Sequence, residues 1–253
     1  MNATVSTLAP CKFLEWDSEF FGMRVGRVSG DTLSKEEVRS IDDWCEEERI
    51  RLLYFLSRAD CPSSVESAEQ ARFRLVDVRL TFELRGAPTE WPSMEGGPAS
   101  LRPVGKTDMG ALQSLARAGH RNTRFFNDKE FPRELAEKLY ATWIALDCQG
   151  RADEVLVATG NAGEVLGYVT CHLGASHGQI GLIGVKAEKR GKGLGRQLTL
   201  AASHWLQERG ASKILVVTQG SNIPAQRLYQ SCGFRTHEVS LWYHKWYSPV
   251  EAS

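Results

Sequence analysis

The chain has 253 residues, 25% charged and 42% apolar, with 31 Lys plus Arg balanced by 31 Asp plus Glu. These are ordinary values for a globular protein, and zero net charge supplies none of the phosphate-neutralising excess that a nucleic-acid binder needs. There is no apolar run long enough to span a membrane and no basic start leading into one, so neither a membrane partner nor a secretory leader is expected.

In chain order, Met23–Val28 and Leu52–Ser57 are short apolar runs of strand type, and Leu75–Leu84 alternates as a half-buried strand does. Between the first two, Ser34–Glu48 carries acidic residues early and apolar ones three and four apart, the pattern of a helix. The stretch Gly86–Ser100 holds three Pro, three Gly and two Ser and reads as a linker. It separates an N-terminal α/β domain, residues 1–90, from a larger one, residues 99–249. Cys11, Cys45, Cys61, Cys148, Cys171 and Cys232 are scattered, with no CxxC pair and no clustered His. That pattern argues for reduced thiols in the cytoplasm and against a metal site.

After the linker, Ser100–Val104 predicts a strand, and Lys106–Gly119 and Arg133–Leu146 predict helices. Val155–Thr159, Val165–His172 and Gly178–Val185 follow as three strands, the first turn being Asn161-Ala162-Gly163. Leu194–Arg209 carries an apolar stripe of Leu194, Leu198, Ala201, Ala202, Trp205 and Leu206 and stops at Gly210. Then come a strand at Lys213–Thr218, a helix at Asn222–Cys232, and a closing pair of strands at Phe234–Glu238 and Leu241–Trp246. Phe73-Arg74 and Phe234-Arg235 each precede a strand, a weak echo that leaves open a half-copy of this architecture in the N-terminal domain.

The segment with chemical content is Ile183-Gly-Val185-Lys-Ala-Glu-Lys-Arg190-Gly191-Lys192-Gly193-Leu194-Gly195-Arg196. An apolar strand enters a loop of alternating glycines and leaves as a helix. Glycines let backbone approach phosphate oxygens, the first free N–H groups of the helix point at them, and Lys192 and Arg196 add positive charge. The spacing lacks the Gly-Lys-Ser/Thr of a P-loop and fails the GxGxxG dinucleotide pattern. The remaining pattern, Arg190-x-x-Gly193-x-Gly195, resembles the R/Q-x-x-G-x-G/A signature of the GCN5-related N-acetyltransferases (GNAT), with Ala187 where that family often has Pro.

Downstream, Gln219-Gly-Ser-Asn222-Ile-Pro224 followed by Tyr229 matches the order in which that family places an Asn near the start of a helix and a Tyr one or two turns along. The resemblance implies a GNAT fold, an α/β (α+β) class with a mixed central sheet splayed at the cofactor site and a smaller N-terminal α/β domain. It implies acetyl-CoA as cofactor, CoA as product and no metal. Ile183, Val185, Arg190, Gly191, Lys192, Gly193, Leu194, Gly195, Arg196, Gln219, Asn222 and Tyr229 are the expected cofactor contacts. The Val185 N–H is expected to polarise the thioester carbonyl, and the Tyr229 phenol to protonate the departing thiolate. Residues 178–185 contain no Asp or Glu. The base is therefore left open among His172, His177, His120 and a water relay.

Leu14-Glu-Trp-Asp-Ser-Glu-Phe-Phe-Gly22, with Thr123-Arg-Phe-Phe-Asn-Asp128 and Leu139-Tyr-Ala-Thr-Trp-Ile144, is similar to the bacterial dTDP-fucosamine acetyltransferases, which act on the amine of a dTDP-linked 4-amino-4,6-dideoxyhexose. On that likeness the partner is a nucleotide-linked sugar. Arg121 and Arg124 suit its phosphates, Phe125 or Phe126 a base or ring, and Asp128 a hydroxyl or amine. A homodimer is left open. The alternatives are a GNAT enzyme for a peptide, aminoglycoside or polyamine amine, and a non-catalytic acyl-CoA-binding regulator.

Overall fold

The computed structural model describes residues 9–86 and 97–248. Residues 87–96, the centre of the expected linker, lie outside the described residues. The elements are β1 (Cys11–Phe13), α1 (Glu15–Phe21), β2 (Val25–Val28), α2 (Lys35–Glu47), β3 (Leu52–Arg58), α3 (Pro62–Gln70) and β4 (Arg74–Arg85). They continue with β5 (Ser100–Pro103), α4 (Met109–Gly119), α5 (Arg124–Asn127), α6 (Arg133–Leu146), β6 (Glu154–Thr159), β7 (Val165–Leu173) and β8 (Gly178–Val185). The last are α7 (Leu194–Glu208), β9 (Lys213–Gln219), α8 (Ile223–Ser231) and β10 (Arg235–Trp246).

The chain forms two compact units, one of Met1–Arg79 with Val239–Ser253 and one of Leu80–Glu238. Both divisions fall inside strands, β4 and β10, so the compact units differ from the sequence ranges 1–90 and 99–249.

In the first unit the sheet runs β1-β2-β3-β10. β2 and β3 are parallel, with α2 as the crossover, and the other pairs are antiparallel. Leu52–Leu56 of β3 is buried at every position, as a strand covered on both faces must be. α2 starts as its sequence demands: Ser34 accepts from the Glu37 N–H, and the Glu37 carboxylate accepts from the Ser34 N–H. Ile41, Phe55, Phe73 and Tyr243 anchor the core.

In the second unit the sheet runs β4-β9-β8-β7-β6-β5. The β5, β6, β7 and β8 neighbours are antiparallel, and β8 and β9 are parallel with α7 as the crossover. Leu198, Leu206, Val169, Ile214, Val216 and Phe234 pack in one core. A π-type turn, Asp147–Arg151, follows α6 and closes on Gly150 at φ 104°.

Two sequence expectations change here. The closing pair of strands is one twelve-residue strand, β10, because Val239-Ser240 offers no Gly, Pro, Asn or Asp to turn on. The helices α1, α3 and α5 were not expected from the sequence. α1 and α5 are only seven and four residues long and rich in Phe, and α3 is rich in Ser and begins with a Pro in its first turn.

Candidate active site

The register of β8 on β9 runs from Gly178↔Ile214 to Ile180↔Val216 and ends there. From Gly181 onward the two strands part. On the other side β8 stays paired with β7, through Tyr168↔Gly184 and Gly167↔Val185. The Lys186 N–H donates to the Leu166 carbonyl at 2.9 Å. Antiparallel alternation then turns the N–H and C=O of Val185, and those of Ile183, away from β7 toward the opening. Consistent with that direction, the Arg190 guanidinium donates through Nε to the Val185 carbonyl at 3.2 Å. The splay predicted at this strand is therefore present, with backbone donors along one wall.

At the end of β8 the chain makes a tight turn over Ala187–Lys189 and reaches Gly191 and Gly193, at φ 71° and 81°. Both lie in the left-handed region, where glycine carries no Cβ penalty. Gly193 caps α7 without any side-chain hydrogen bond, and the first turn of α7 has no acidic residue. The N–H groups of Leu194, Gly195 and Arg196 thus begin the helix unshared, with Lys192 and Arg196 exposed beside them. Gly195 is bare for a different reason: a Cβ there would come within 3.2 Å of Leu228 on α8. The loop fits a pyrophosphate by backbone shape, helix polarity and charge together.

On the other wall, Asn222 accepts from the Ala225 N–H at 3.3 Å and caps α8, and Gln226 donates to the Gln219 and Gly220 carbonyls. Both turns fix where α8 starts. The sequence put Ala225, Leu228 and Cys232 on the packed face with Tyr229 to one side. In the fold Tyr229 is the most buried residue of the helix, 2% exposed, with its ring 5.9 Å from Phe82 and 6.0 Å from Phe234. Its hydroxyl has no hydrogen-bond partner among the described residues, and burial pushes its pKa well above the usual phenol range. A phenol in that state is held protonated.

The opposite face of β7 carries a row of polar groups. Tyr168 is fully buried, and its hydroxyl meets His120 Nε2 at 3.1 Å. The His120 ring stacks on Tyr140 at 4.7 Å. Thr170 accepts from the Leu182 N–H at 2.8 Å, across the irregularity between Val169 and Cys171. His172 Nε2 lies 3.4 Å from the Thr170 hydroxyl and 3.9 Å from Asp147 Oδ1. Asp147 was not singled out by sequence; it sits in the π-type turn, whose geometry has no short-range signature.

The Arg121–Asp128 segment divides in two. Phe125 is buried, edge-on to Phe131 and Trp143, and Arg124 lies over its ring at 4.2 Å. Asp128 is 2% exposed and accepts from the Glu130 N–H, closing a turn. These two serve packing and backbone. Phe126 is half-buried, while Arg121 is exposed, pairs with Glu137 at 3.5 Å, and lines a cavity of about 440 Å³ with Gln113, Ser114 and Arg117. Among the described residues no group of three His, Cys, Asp or Glu could hold a metal, and no helix is long and apolar enough to cross a membrane.

Residues 120–234 match the family model described as "Acetyltransferase (GNAT) family". Over 92% of its length the chain is 26% identical to the dTDP-fucosamine acetyltransferase of Escherichia coli O6:H1, spanning 96% of that protein. It is 28% identical over 86% of its length to the mycothiol acetyltransferase of Saccharomonospora viridis, spanning 69% of it. Among solved structures, a GCN5-related N-acetyltransferase from Sphaerobacter thermophilus superposes with a TM-score of 0.68 at 18% identity, covering 93% of this chain and 76% of that one.

Proposed function

Because residues 120–234 are an acetyltransferase (GNAT) family domain, which makes this chain an acyl-CoA-dependent N-acetyltransferase, we propose that its acceptor is the amino group of a nucleotide-linked, dTDP-bearing amino-deoxyhexose. The observation that carries the acceptor is the end-to-end match to a dTDP-fucosamine acetyltransferase, which spans 96% of that relative rather than the cofactor motif alone. An open surface depression of about 440 Å³ presents Arg117 and Arg121, the latter paired with Glu137 on the same lining, and its two guanidiniums suit an anionic acceptor. On this reading the enzyme works in the cytoplasm on a soluble sugar nucleotide.

Bound acetyl-CoA supplies a thioester whose acetyl group passes directly to the amine. The chain's residues do the rest. Gly191, Gly193 and the α7 N-terminus, with Arg190, Lys192, Leu194, Gly195 and Arg196, hold the pyrophosphate end. The N–H groups of Ile183 and Val185 line the opening where a carbonyl oxygen gains charge, and a fixed donor there favours the transition state over the ground state. Tyr229, on the wall that α8 forms, gives its proton to the sulfur as the thioester breaks. Gln219 and Asn222 set the start of α8 and thereby the position of Tyr229.

A thiol-release assay over four acceptors tests the substrate class: a dTDP-4-amino-4,6-dideoxyhexose, a peptide, spermidine and kanamycin. The sugar nucleotide is expected to be acetylated in preference. Turnover on the peptide or polyamine with none on the sugar nucleotide would keep the acetyltransferase and remove the sugar.

A further inference from the structure

The strand that carries the acetyl site brings no carboxylate to accept the proton of the amine, since residues 178–185 contain neither Asp nor Glu. Three histidines stand near this sheet, and their surroundings separate them. His177 lies in the β7–β8 hairpin with its ring against Gly174, at the end of β8 where β9 is still paired. His120 has Nε2 engaged by the buried Tyr168 hydroxyl, and burial followed by the Arg190 charge pushes its pKa down to about 4. It is a poor proton acceptor.

His172 is placed differently. It faces Gly181, the first residue of β8 beyond the last pair with β9. A Cβ on Gly181 would sit 2.6 Å from His172 Nε2 and 2.6 Å from the Thr170 hydroxyl. The missing side chain therefore lets the His172 imidazole and the Thr170 hydroxyl close onto the β8 backbone at the apex of the splay, while the imidazole stays 29% exposed. Asp147, its side chain 1% exposed, stands through Oδ1 at 3.9 Å from the same Nε2. Arg151 Nε donates to Asp147 Oδ1 at 2.7 Å, while Oδ2 has no partner among the described residues. The groups facing His172 are Asp147 from the turn after α6, Thr170 on its own strand, and Gln179 and Gly181 on β8.

We infer that His172 is the proton acceptor of the transfer, with Asp147 and Thr170 as its positioning residues and its exposed edge, where β8 and β9 part, as the place where the amine, or one water, meets it. The inference rests on the acetyltransferase reading. As the amine nitrogen bonds to the acetyl carbon and the carbon–sulfur bond breaks, the N–H proton passes to His172 and the Tyr229 proton to the sulfur. The imidazolium, stabilised by Asp147, then loses its proton to solvent, and Tyr229 regains one. A histidine opposite a glycine thus replaces a carboxylate on β8.

The test uses the full chain with acetyl-CoA and the dTDP-4-amino-4,6-dideoxyhexose. His172→Gln should lower kcat by roughly 10²-fold, the scale of a positioned proton acceptor, with KM values and calorimetric acetyl-CoA affinity unchanged. Free imidazole should restore turnover in His172→Gly, which a packing role would not permit. Gly181→Ala, whose methyl would collide with His172 Nε2 and the Thr170 hydroxyl and displace the ring, should lower kcat with acetyl-CoA affinity retained. A His172→Gln enzyme with wild-type kcat, or a His172→Gly enzyme that binds acetyl-CoA normally yet ignores imidazole, overturns the assignment. A wild-type chain that acetylates none of the four acceptors would instead overturn the acetyltransferase reading itself.

Discussion

The ring of Tyr168 on β7 rests on the bare Cα of Gly184 on β8, so that a Cβ at residue 184 would lie 2.5 Å from the ring. The two residues are direct cross-strand partners, and the fully buried phenol has no room to withdraw. Gly184→Ala should therefore overpack the sheet one residue from Val185 and cost about 1–3 kcal/mol of stability. Urea unfolding midpoints would measure it, and an unchanged midpoint would mean that Tyr168 can repack.

Gly193 is constrained by conformation rather than space. Nothing lies within 4 Å of a Cβ placed there, yet its φ of 81° is a value that β-branched residues essentially never adopt. Gly193→Val should turn the loop away from the α7 N-terminus and abolish acetyl-CoA binding while the fold survives. Calorimetry is the direct check, and unchanged affinity would remove the loop from the cofactor site.

Tyr229→Phe deletes one hydroxyl from a ring that packs on Phe82 and Phe234, so stability should hold. Turnover at saturating acetyl-CoA should fall by roughly 10²-fold or more if the phenol protonates the sulfur. Near-normal turnover would leave Tyr229 a core residue and nothing else.

His120 makes a prediction about stability and pH. Its folded pKa of about 4 lies below the ordinary histidine value of about 6.5. Above that ordinary value both states are neutral and the folded state loses nothing. As pH falls toward 4 the unfolded chain takes up a proton that the folded chain refuses, and stability drops by an amount on the order of 3 kcal/mol. His120→Gln should flatten the stability curve across that window, measured by unfolding at pH steps. A parallel curve would show that His120 titrates freely in the fold.

The glycine loop before α7 was legible in sequence because its requirements are local. Two left-handed glycines, an uncapped helix start and an apolar strand leave marks within a dozen residues. The row on the other face of β7 was not legible as a site, although His120 and His172 were both in view as separate candidates. Nothing in sequence tells that Tyr168 engages the first, or that Asp147, in a π-type turn, stands beside the second. Phe125 and Asp128, which the sequence offers as acceptor-binding residues beside two arginines, are buried in the fold, Phe125 against Phe131 and Trp143 and Asp128 against the Glu130 N–H, and no local pattern announces that burial. Ala225, Leu228 and Cys232 pack on the core as their spacing predicts, but Tyr229 is buried with them, so the buried face of α8 is wider than that spacing implies.

The twelve-residue β10 has a consequence for how the gene can be dissected. Ser240–Trp246 complete the first unit's sheet by pairing with Leu52–Arg58, although nearly two hundred residues of chain separate them. A fragment ending at residue 90 would present β3, an apolar strand buried throughout Leu52–Leu56, as an open edge ready to pair with another copy. Such a fragment should aggregate. Ser240–Trp246 are thus a structural requirement of the beginning of the chain, and a truncation that removes them acts first on the N-terminal unit.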